Sequence, residues 1–271
     1  EYSRNKEQWV KGPNGLPVLK AGRFSGRTVS GKFIHGTDIH SLERQYNQGV
    51  LAIDEGVGKL IKALKETGQY DNTLIVFGAD QGIAWGQKGF QMKLAPYDGT
   101  IRGPLIVSMP KKFPSGKVCP KPVGGADLVP TFFQTAGLEL PWKMHGRDLT
   151  PLLEKPERKD WKSPLLLAHT GMSFGEGCDE VIDMKDDPIY QKQRVPWWVS
   201  LRTDRYKYIR NLLPGETEEL YDMKKDPDEL INLAMQDKHL NLLRKLRKKT
   251  VSELERTDCK FAKKMPPVQT P

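Results

Sequence analysis

The feature that most constrains this chain is an apolar strand that ends in polar residues. Residues 74 to 77 read Leu-Ile-Val-Phe, a continuous apolar run that is typical of a strand buried on both faces. Asp80 and Gln81 follow this run, and in open α/β sheets ligands bind just beyond the carboxyl ends of strands. Carboxylate and amide oxygens suit hard metal ions, so we predict a metal site at Asp80 and Gln81. Lys93, on the next loop, could meet an anion held by that ion.

Helices and strands alternate around this run. Apolar residues recur every three or four positions from residue 41 to about residue 67, which predicts a long amphipathic helix. A second apolar strand is predicted at residues 104 to 109, and a helix at residues 125 to 136. The alternation indicates an α/β fold with a mostly parallel sheet and helices on both faces. Residues 1 to 40 are rich in Gly, Lys and Pro without a clear period, so we predict a loop there.

The pattern changes after about residue 155. Short apolar runs bounded by turn residues predict four strands, at residues 165–167, 197–202, 206–210 and 219–222. The connection at residues 203–205 has the length of a hairpin, which favours antiparallel pairing, and a last helix is predicted at about residues 237–256. We therefore divide the chain into an α/β region, residues 1–157, and a small C-terminal antiparallel sheet packed with a helix, residues 158–271.

The positive charge of the chain is concentrated near its end. The net charge is +9, and residues 238 to 264 carry ten Lys and Arg against three acidic residues, which is +7 of that excess. Leu240, Leu243, Leu246 and Leu254 mark an apolar face on the same helix, so a solvated basic face is the simpler interpretation. The alternative is a surface that binds an acidic polymer. No apolar run approaches the ~20 residues that cross a bilayer, so we expect no membrane partner.

The cysteines leave the cellular compartment open. Cys119, Cys178 and Cys259 lack the spacing of a metal site. They allow one disulfide with a spare thiol, or none at all. Cysteine usage therefore gives no localisation.

Several short motifs occur in a fixed order along the chain. They are Asp-Glu-Gly-Val-Gly-Lys-Leu at 54–60, Asn-Thr-Leu-Ile-Val-Phe at 72–77, Lys-Leu-Ala-Pro-Tyr-Asp at 93–98, Arg-Gly-Pro-Leu-Ile-Val at 102–107, Asp-Leu-Val-Pro-Thr at 127–131, Gly-Arg-Asp-Leu at 146–149, Leu-Arg-Thr-Asp-Arg-Tyr-Lys-Tyr-Ile at 201–209 and Glu-Leu-Tyr-Asp at 219–222. In this order, over residues 46 to 234, the chain resembles the sulfatases, which are members of the alkaline-phosphatase-like superfamily. Each motif alone is weak, and their order carries the resemblance.

The resemblance implies a secreted or periplasmic sulfuric ester hydrolase that depends on calcium and on formylglycine. Its substrate would be a sulfated small molecule or carbohydrate. Asp80 matches the aspartate that binds the metal ion, and Gln81 stands where the family often has Asn or His. Lys93 matches the lysine that contacts the sulfate ester. Without the resemblance, Asp-Gln-Gly after a strand can be a plain turn, and a single lysine on a loop is usually solvated.

The nucleophile that the resemblance implies is not found in this sequence. Formylglycine is made from the Cys or Ser of a Cys/Ser-x-Pro/Ala-x-Arg motif, and none of the three cysteines has Arg four residues later. Ser108 begins a similar stretch that has Lys in place of Arg, and it lies at an ordinary strand end. We therefore expect the nucleophile and the first metal ligands to lie outside this chain, and the chain alone to be inactive.

The histidines and the paired aspartates are weaker candidates. A catalytic histidine is expected upstream of the long helix, but His35 and His40 lack an apolar strand before them. His145 lies in a turn and is interpreted as structural, and the adjacent Asp186 and Asp187 as solvated surface. His169 ends a predicted strand and is a candidate to line a substrate cleft.

Three functions follow from these observations. The first is hydrolysis of a sulfate ester, with Lys93 stabilising the leaving oxygen. The second keeps the superfamily and changes the substrate to a phosphate mono- or diester. The third is a non-catalytic module that binds acidic polymers through the basic helix; we do not expect a nucleic-acid partner, and the oligomeric state is open.

Overall fold

The first elements of the fold lie where the sequence predicted a loop. The computed structural model describes residues 9–11, 17–19, 39–85, 87–89 and 91–268. Strands β1 (Trp9–Lys11) and β2 (Pro17–Leu19) pair antiparallel, so the prediction of loop throughout residues 1 to 40 was wrong. Each strand has three residues, which is too short for any periodicity to be visible in the sequence.

The long helix α1 spans Ile39–Glu66, close to the predicted range. Its apolar periodicity places Val57, Ile61 and Leu64 on a half-buried side. Gly68 follows with φ +70°, a left-handed conformation that glycine adopts without a Cβ clash, and the helix ends there.

Strands β3 (Ile75–Gly78) and β6 (Leu105–Ser108) form where the sequence predicted them, but they pair antiparallel. Between them lie a hairpin of β4 (Ala84–Trp85) and β5 (Gln91–Met92) and the short helix α2 (Asp98–Ile101). No long crossover helix joins the two strands, so the chain returns beside β3 in the opposite direction. Parallel pairing is not seen among the described strands. An antiparallel edge strand on an otherwise parallel sheet is common in α/β folds.

Helix α3 (Leu128–Ala136) begins after a single 3₁₀ turn and ends at Gly137, which has φ +71°. Helix α4 (Thr150–Glu154) follows a close approach of the backbone at Gly146. A Cβ built there would lie 1.8 Å from the carbonyl oxygen of Ala126, so only glycine fits. The end of α3 at Ala136, directly before Gly137, is the end that the sequence predicted.

The C-terminal part is a four-stranded sheet in the order β10-β9-β8-β7. The strands are β7 (Leu165–His169), β8 (Trp198–Arg202), β9 (Tyr206–Asn211) and β10 (Glu219–Asp222), and helix α5 (Pro188–Gln193) lies in the β7–β8 connection. All three neighbouring pairs are antiparallel, which confirms the prediction from the hairpin-length connection.

Helix α6 (Leu240–Arg256) packs on this sheet. Leu243 and Leu246 are buried in one cluster with Leu201 and Tyr208. Burying each of these leucines stabilises the fold by about 1.5–3 kcal/mol. The apolar face predicted for the terminal helix is therefore the face that holds it on the sheet. The division of the chain at residues 157 and 158 stays a prediction.

The cysteines are free thiols in this structure. Cys119 is exposed, whereas Cys178 and Cys259 are half-buried against the same apolar cluster. Burial raises the pKa of the Cys259 thiol. No helix among the described residues is long and apolar enough to span a membrane.

Candidate functional site

Asp80 and Gln81 form an exposed polar corner just beyond β3. The backbone N–H of Gln81 donates to Oδ1 of Asp80 at 2.9 Å, and its side-chain amide donates to Oδ2 at 3.4 Å. The Asp80 side chain is 76% exposed. Its pKa is lowered by the Gln81 hydrogen bond and by the nearby Lys93 ammonium, so the carboxylate is charged at neutral pH.

Lys93 lies against this corner, although it is on a different loop. Its Nζ is 3.8 Å from Oδ2 of Asp80, and its side chain is 39% exposed. This distance is too long for a hydrogen bond and within the range of a solvent-screened ion pair. The structure thus brings together the three residues that the sequence singled out, as a carboxylate, an amide and a cation in one place.

The described residues supply part of a metal site. They contain no cluster of three or more His, Cys, Asp or Glu side chains that could hold an ion. Asp80 and Gln81 offer carboxylate and amide oxygens, the donors that calcium prefers, but calcium takes six to eight oxygen ligands. The donor chemistry fits one side of a calcium site, and the other side would have to come from elsewhere.

The loop that carries Lys93 is held by the C-terminal sheet. Leu94 has φ +84°, which is unusual for a residue with a Cβ. Its carbonyl oxygen accepts a hydrogen bond of 2.8 Å from the indole Nε1–H of Trp198 in β8. The Tyr97 hydroxyl, from the same loop, donates to Glu219 of β10 at 2.9 Å.

A buried charge cluster fixes the far end of this loop. Lys207 of β9 is 1% exposed, and its Nζ lies 2.8 Å from Oδ1 of Asp98 and 2.6 Å from Oε1 of Glu229. The other oxygen of Glu229 accepts from the backbone N–H of Asp98 at 2.7 Å. Burial raises the pKa of Glu229, and the Lys207 ammonium opposes that shift. This cluster was not predicted, because lysines are rarely buried and Lys207 in a strand is therefore expected at the surface.

His169 lies at the end of β7, beside Trp198. The two rings stack with centroids 5.9 Å apart and an angle of 27° between planes. Among the described residues, no hydrogen-bond partner reaches the buried Nε2 of His169. Burial lowers the pKa of His169, and Asp187 opposes that shift. A mostly buried, neutral imidazole therefore lies one side chain away from the Lys93 loop.

One of the paired aspartates differs from the prediction, whereas Asp186 is exposed as predicted. Asp187 is buried, so its interpretation as solvated surface was wrong. Its carboxylate accepts from the backbone N–H of Ile189 at 2.8 Å and from the indole of Trp197 at 2.9 Å. It begins helix α5 as an N-cap, which explains its position directly before Pro188.

The remaining histidine candidates are His35, His40 and His145. His40 lies in α1, and His35 lies outside the described residues. The backbone oxygen of His145 accepts a hydrogen bond of 3.0 Å from Arg256, which agrees with a structural role in its turn.

Many of the basic residues near the C-terminus form ion pairs. Arg247 binds Glu218, Lys260 binds Asp179, Lys264 binds Glu180, and Arg256 binds Glu253. All four pairs neutralise charge locally, and the Arg247–Glu218 pair also ties α6 to the residue before β10. They weaken the argument for a polymer-binding surface.

Solved structures show which class of protein this arrangement belongs to. A protein in complex with its substrate D-glucosamine-2-N,6-O-disulfate is 27% identical and aligns with a TM-score of 0.62 over 77% of this chain and 39% of that chain. A phosphonate monoester hydrolase from Silicibacter pomeroyi is 27% identical and aligns with a TM-score of 0.61 over 76% of this chain and 39% of that chain. The fold is that of the alkaline-phosphatase-like hydrolases, which confirms the predicted fold class.

Family models narrow the class. The sulfatase model matches residues 8–138, and the model of the C-terminal part of N-sulphoglucosamine sulphohydrolase matches residues 179–256. The chain belongs to the sulfatase family.

Curated relatives agree with this assignment. An N-acetylglucosamine-6-O-sulfatase from Bacteroides thetaiotaomicron is 30% identical over 207 residues, which are 76% of this chain and 34% of the relative. An arylsulfatase from Clostridium perfringens is 30% identical over 213 residues, which are 78% of this chain and 39% of the relative. The chain thus spans between a third and two fifths of the length of these relatives.

Proposed function

We propose that the protein containing this chain hydrolyses a sulfate ester on a carbohydrate. The observation that carries the proposal is the placement of Lys93 beside Asp80 and Gln81 at the end of β3, in a member of the sulfatase family. The carbohydrate substrate is supported by the relatives, whose names include an N-acetylglucosamine-6-O-sulfatase. Secretion or a periplasmic location is part of the same proposal.

The residues of this chain have distinct roles in that reaction. Hydrolysis breaks the bond between sulfur and the ester oxygen, and negative charge develops on the departing oxygen. The Lys93 ammonium stabilises that charge and donates a hydrogen bond to the oxygen. Asp80 and Gln81 would hold one side of a calcium ion, whose positive charge would attract the sulfate group. His169, neutral and beside the Lys93 loop, lines the sugar side of the cleft.

The nucleophile would come from a formylglycine outside residues 1–271. We therefore expect this chain alone to bind part of a substrate without turning it over. Its contribution is the metal side of the site and the cation for the leaving group.

Substitution of Lys93 tests the proposal. In the full-length enzyme, Lys93→Ala should lower kcat for a sugar sulfate by about 10²–10³-fold, because one preorganised donor to the developing charge is lost. The melting temperature should change little, since the side chain is partly exposed. Lys143→Ala, at a lysine whose side chain is 71% exposed and pairs with Asp258 rather than Asp80, is the control and should leave turnover unchanged. Near-normal turnover of Lys93→Ala would sink the assignment.

A phosphonate or phosphate ester is the second candidate substrate. It is favoured by the likeness to the phosphonate monoester hydrolase, which matches about as well as the sulfatase structures. The ratio of kcat/KM for matched nitrophenyl sulfate and nitrophenyl phosphonate distinguishes the two. A ratio in favour of the phosphonate would replace the sulfatase proposal.

A further inference from the structure

We propose that Trp198 is a positioning residue for Lys93: its indole N–H clamps the backbone of Leu94 and so aims the lysine at the leaving group. The inference rests on the proposed role of Lys93 and extends it to the C-terminal sheet. Trp198 is not one of the residues proposed to hold the metal ion or to contact the ester. It acts through the backbone carbonyl that directly follows the lysine.

The backbone of Leu94 needs such a clamp. At φ +84° its Cβ is crowded by the neighbouring peptide, and most residues with a side chain leave this region when nothing holds them. The Leu94 side chain packs on the apolar cluster that contains Trp198, and the carbonyl oxygen accepts the 2.8 Å hydrogen bond from the indole. The hydrogen bond comes from Trp198 alone, and the packing comes from the cluster to which Trp198 belongs.

The clamp is itself rigid. Trp198 is buried at the first position of β8, where it pairs with His169 of β7 and Asn211 of β9. The ring of His169 stacks on it, which limits rotation of the indole. A rigid donor next to a strained carbonyl keeps the Lys93 ammonium near Asp80. Reacting groups that move by about 1 Å can lose about 10²-fold in rate, so this restraint matters for catalysis.

The chemistry of the leaving group gives a readout that a merely structural residue would not move. If Lys93 stabilises the departing oxygen, its position matters most when that oxygen is a poor leaving group, as in a sugar sulfate. It matters much less for nitrophenyl sulfate, whose phenolate leaves readily. In the full-length enzyme, Trp198→Phe keeps an aromatic ring on His169 and removes the N–H donor. We expect kcat for the sugar sulfate to fall about 10–100-fold, and kcat for nitrophenyl sulfate to fall by less than about threefold.

Trp197→Phe is the matched control. This neighbouring tryptophan is equally buried, and its indole donates at 2.9 Å to Asp187, away from Lys93. It should lower the melting temperature about as much as Trp198→Phe does, while the ratio of the two kcat values stays at the wild-type level. An equal loss on both substrates in Trp198→Phe would overturn the inference.

Two further variants keep the test decisive when Trp198→Phe folds poorly. Leu94→Val leaves the indole in place but introduces a β-branched side chain, which disfavours positive φ, and should reproduce the selective loss on the sugar sulfate. Leu94→Gly in the Trp198→Phe background relieves the Cβ strain and should recover part of the lost rate. Absence of both effects would also overturn the inference.

Failure of this inference and failure of the proposed function give different results. If Lys93→Ala lowers kcat equally for both substrates, Lys93 does not act on the leaving group. The inference about Trp198 then loses its basis as well. A different result is that Lys93→Ala lowers kcat mainly for the sugar sulfate, while Trp198→Phe lowers kcat equally for both substrates. In that case the proposed function stands and only the role of Trp198 is excluded.

Discussion

His169 is kept neutral by its burial beside Trp198. The pKa of this residue is lowered from the usual 6.5 because charging it would cost solvation, and the attraction of Asp187 does not compensate. A histidine whose pKa is lower in the folded than in the unfolded state binds fewer protons when folded. Stability from this residue is therefore present above about pH 6.5 and is lost as the pH falls toward the lower folded pKa.

We expect His169→Phe to flatten this pH dependence. The phenyl ring retains the stack on Trp198 and has no proton to bind. Denaturant unfolding at about pH 7.5 and about pH 5.5 should show a smaller loss of unfolding free energy on acidification in the variant than in the wild type. His239 also has a lowered pKa, so some dependence should persist in the variant. An identical pH dependence in both proteins would contradict the prediction.

At the residue scale, the site residues could be predicted from the sequence, whereas the contacts that hold their loops in place could not. Asp80, Gln81 and Lys93 could be named because a buried apolar run marks where a strand ends. The bond between Trp198 and Leu94 joins residues 104 positions apart, and no local pattern records such a contact.

At the scale of elements, the junction between α2 and β9 depends on one buried lysine. Lys207 is 1% exposed, and it compensates the charge of Glu229, which is 2% exposed, as well as that of Asp98. The tight contacts of this cluster tie the loop after Lys93 to the C-terminal sheet. Removing one partner of a buried ion pair leaves the other charge unpaired, which costs more than the pair itself contributes.

Lys207→Met should therefore destabilise the protein by about 3–5 kcal/mol in denaturant unfolding. Lys207→Met combined with Glu229→Gln removes the unpaired buried charge and should recover part of that loss. The surface pair of Arg158 and Asp160 provides the contrast, since Arg158→Met should lower the unfolding free energy much less. Equal effects of Lys207→Met and Arg158→Met would show that the cluster does not hold the junction.

The sequence predicted elements better than their pairing. Helices α1, α3 and α6 and the four strands of the C-terminal sheet lie close to the predicted ranges, because their apolar periods extend over enough residues. The antiparallel pairing of β3 and β6 was not predicted, because the direction of a strand depends on its connection and on neighbours that no local pattern encodes. The β4–β5 hairpin was missed because each strand has two residues.

At the scale of the whole molecule, the α/β region carries several exposed apolar residues. On α1, the exposed large apolar residues are Tyr46, Val50, Leu51, Ile53 and Leu60, which are 51–67% exposed. On β6, Ile106 is 62% exposed and lines a cavity of 710 Å³. Large exposed apolar side chains in such number usually mark an interface. Because relatives extend over more than twice the length of this chain, we expect a further part of the sulfatase fold to cover this surface in the full-length enzyme.

The exposed apolar surface predicts that Ile106→Lys has opposite effects in the full-length enzyme and in residues 1–271 expressed alone. In the full-length enzyme, Ile106→Lys should bury an unpaired ammonium at the covered interface and lower the melting temperature by several degrees, since a buried unpaired charge costs several kcal/mol. In residues 1–271 expressed alone, the same change replaces an exposed apolar side chain, so it should reduce dye binding and aggregation. Lys112→Met, at an exposed position just after β6, is the control and should leave the melting temperature of the full-length enzyme unchanged. The prediction is contradicted if Ile106→Lys leaves the melting temperature of the full-length enzyme unchanged. Strand β6 would then face solvent in the full-length enzyme too, and no further part of the protein packed against this sheet would complete the site at Asp80.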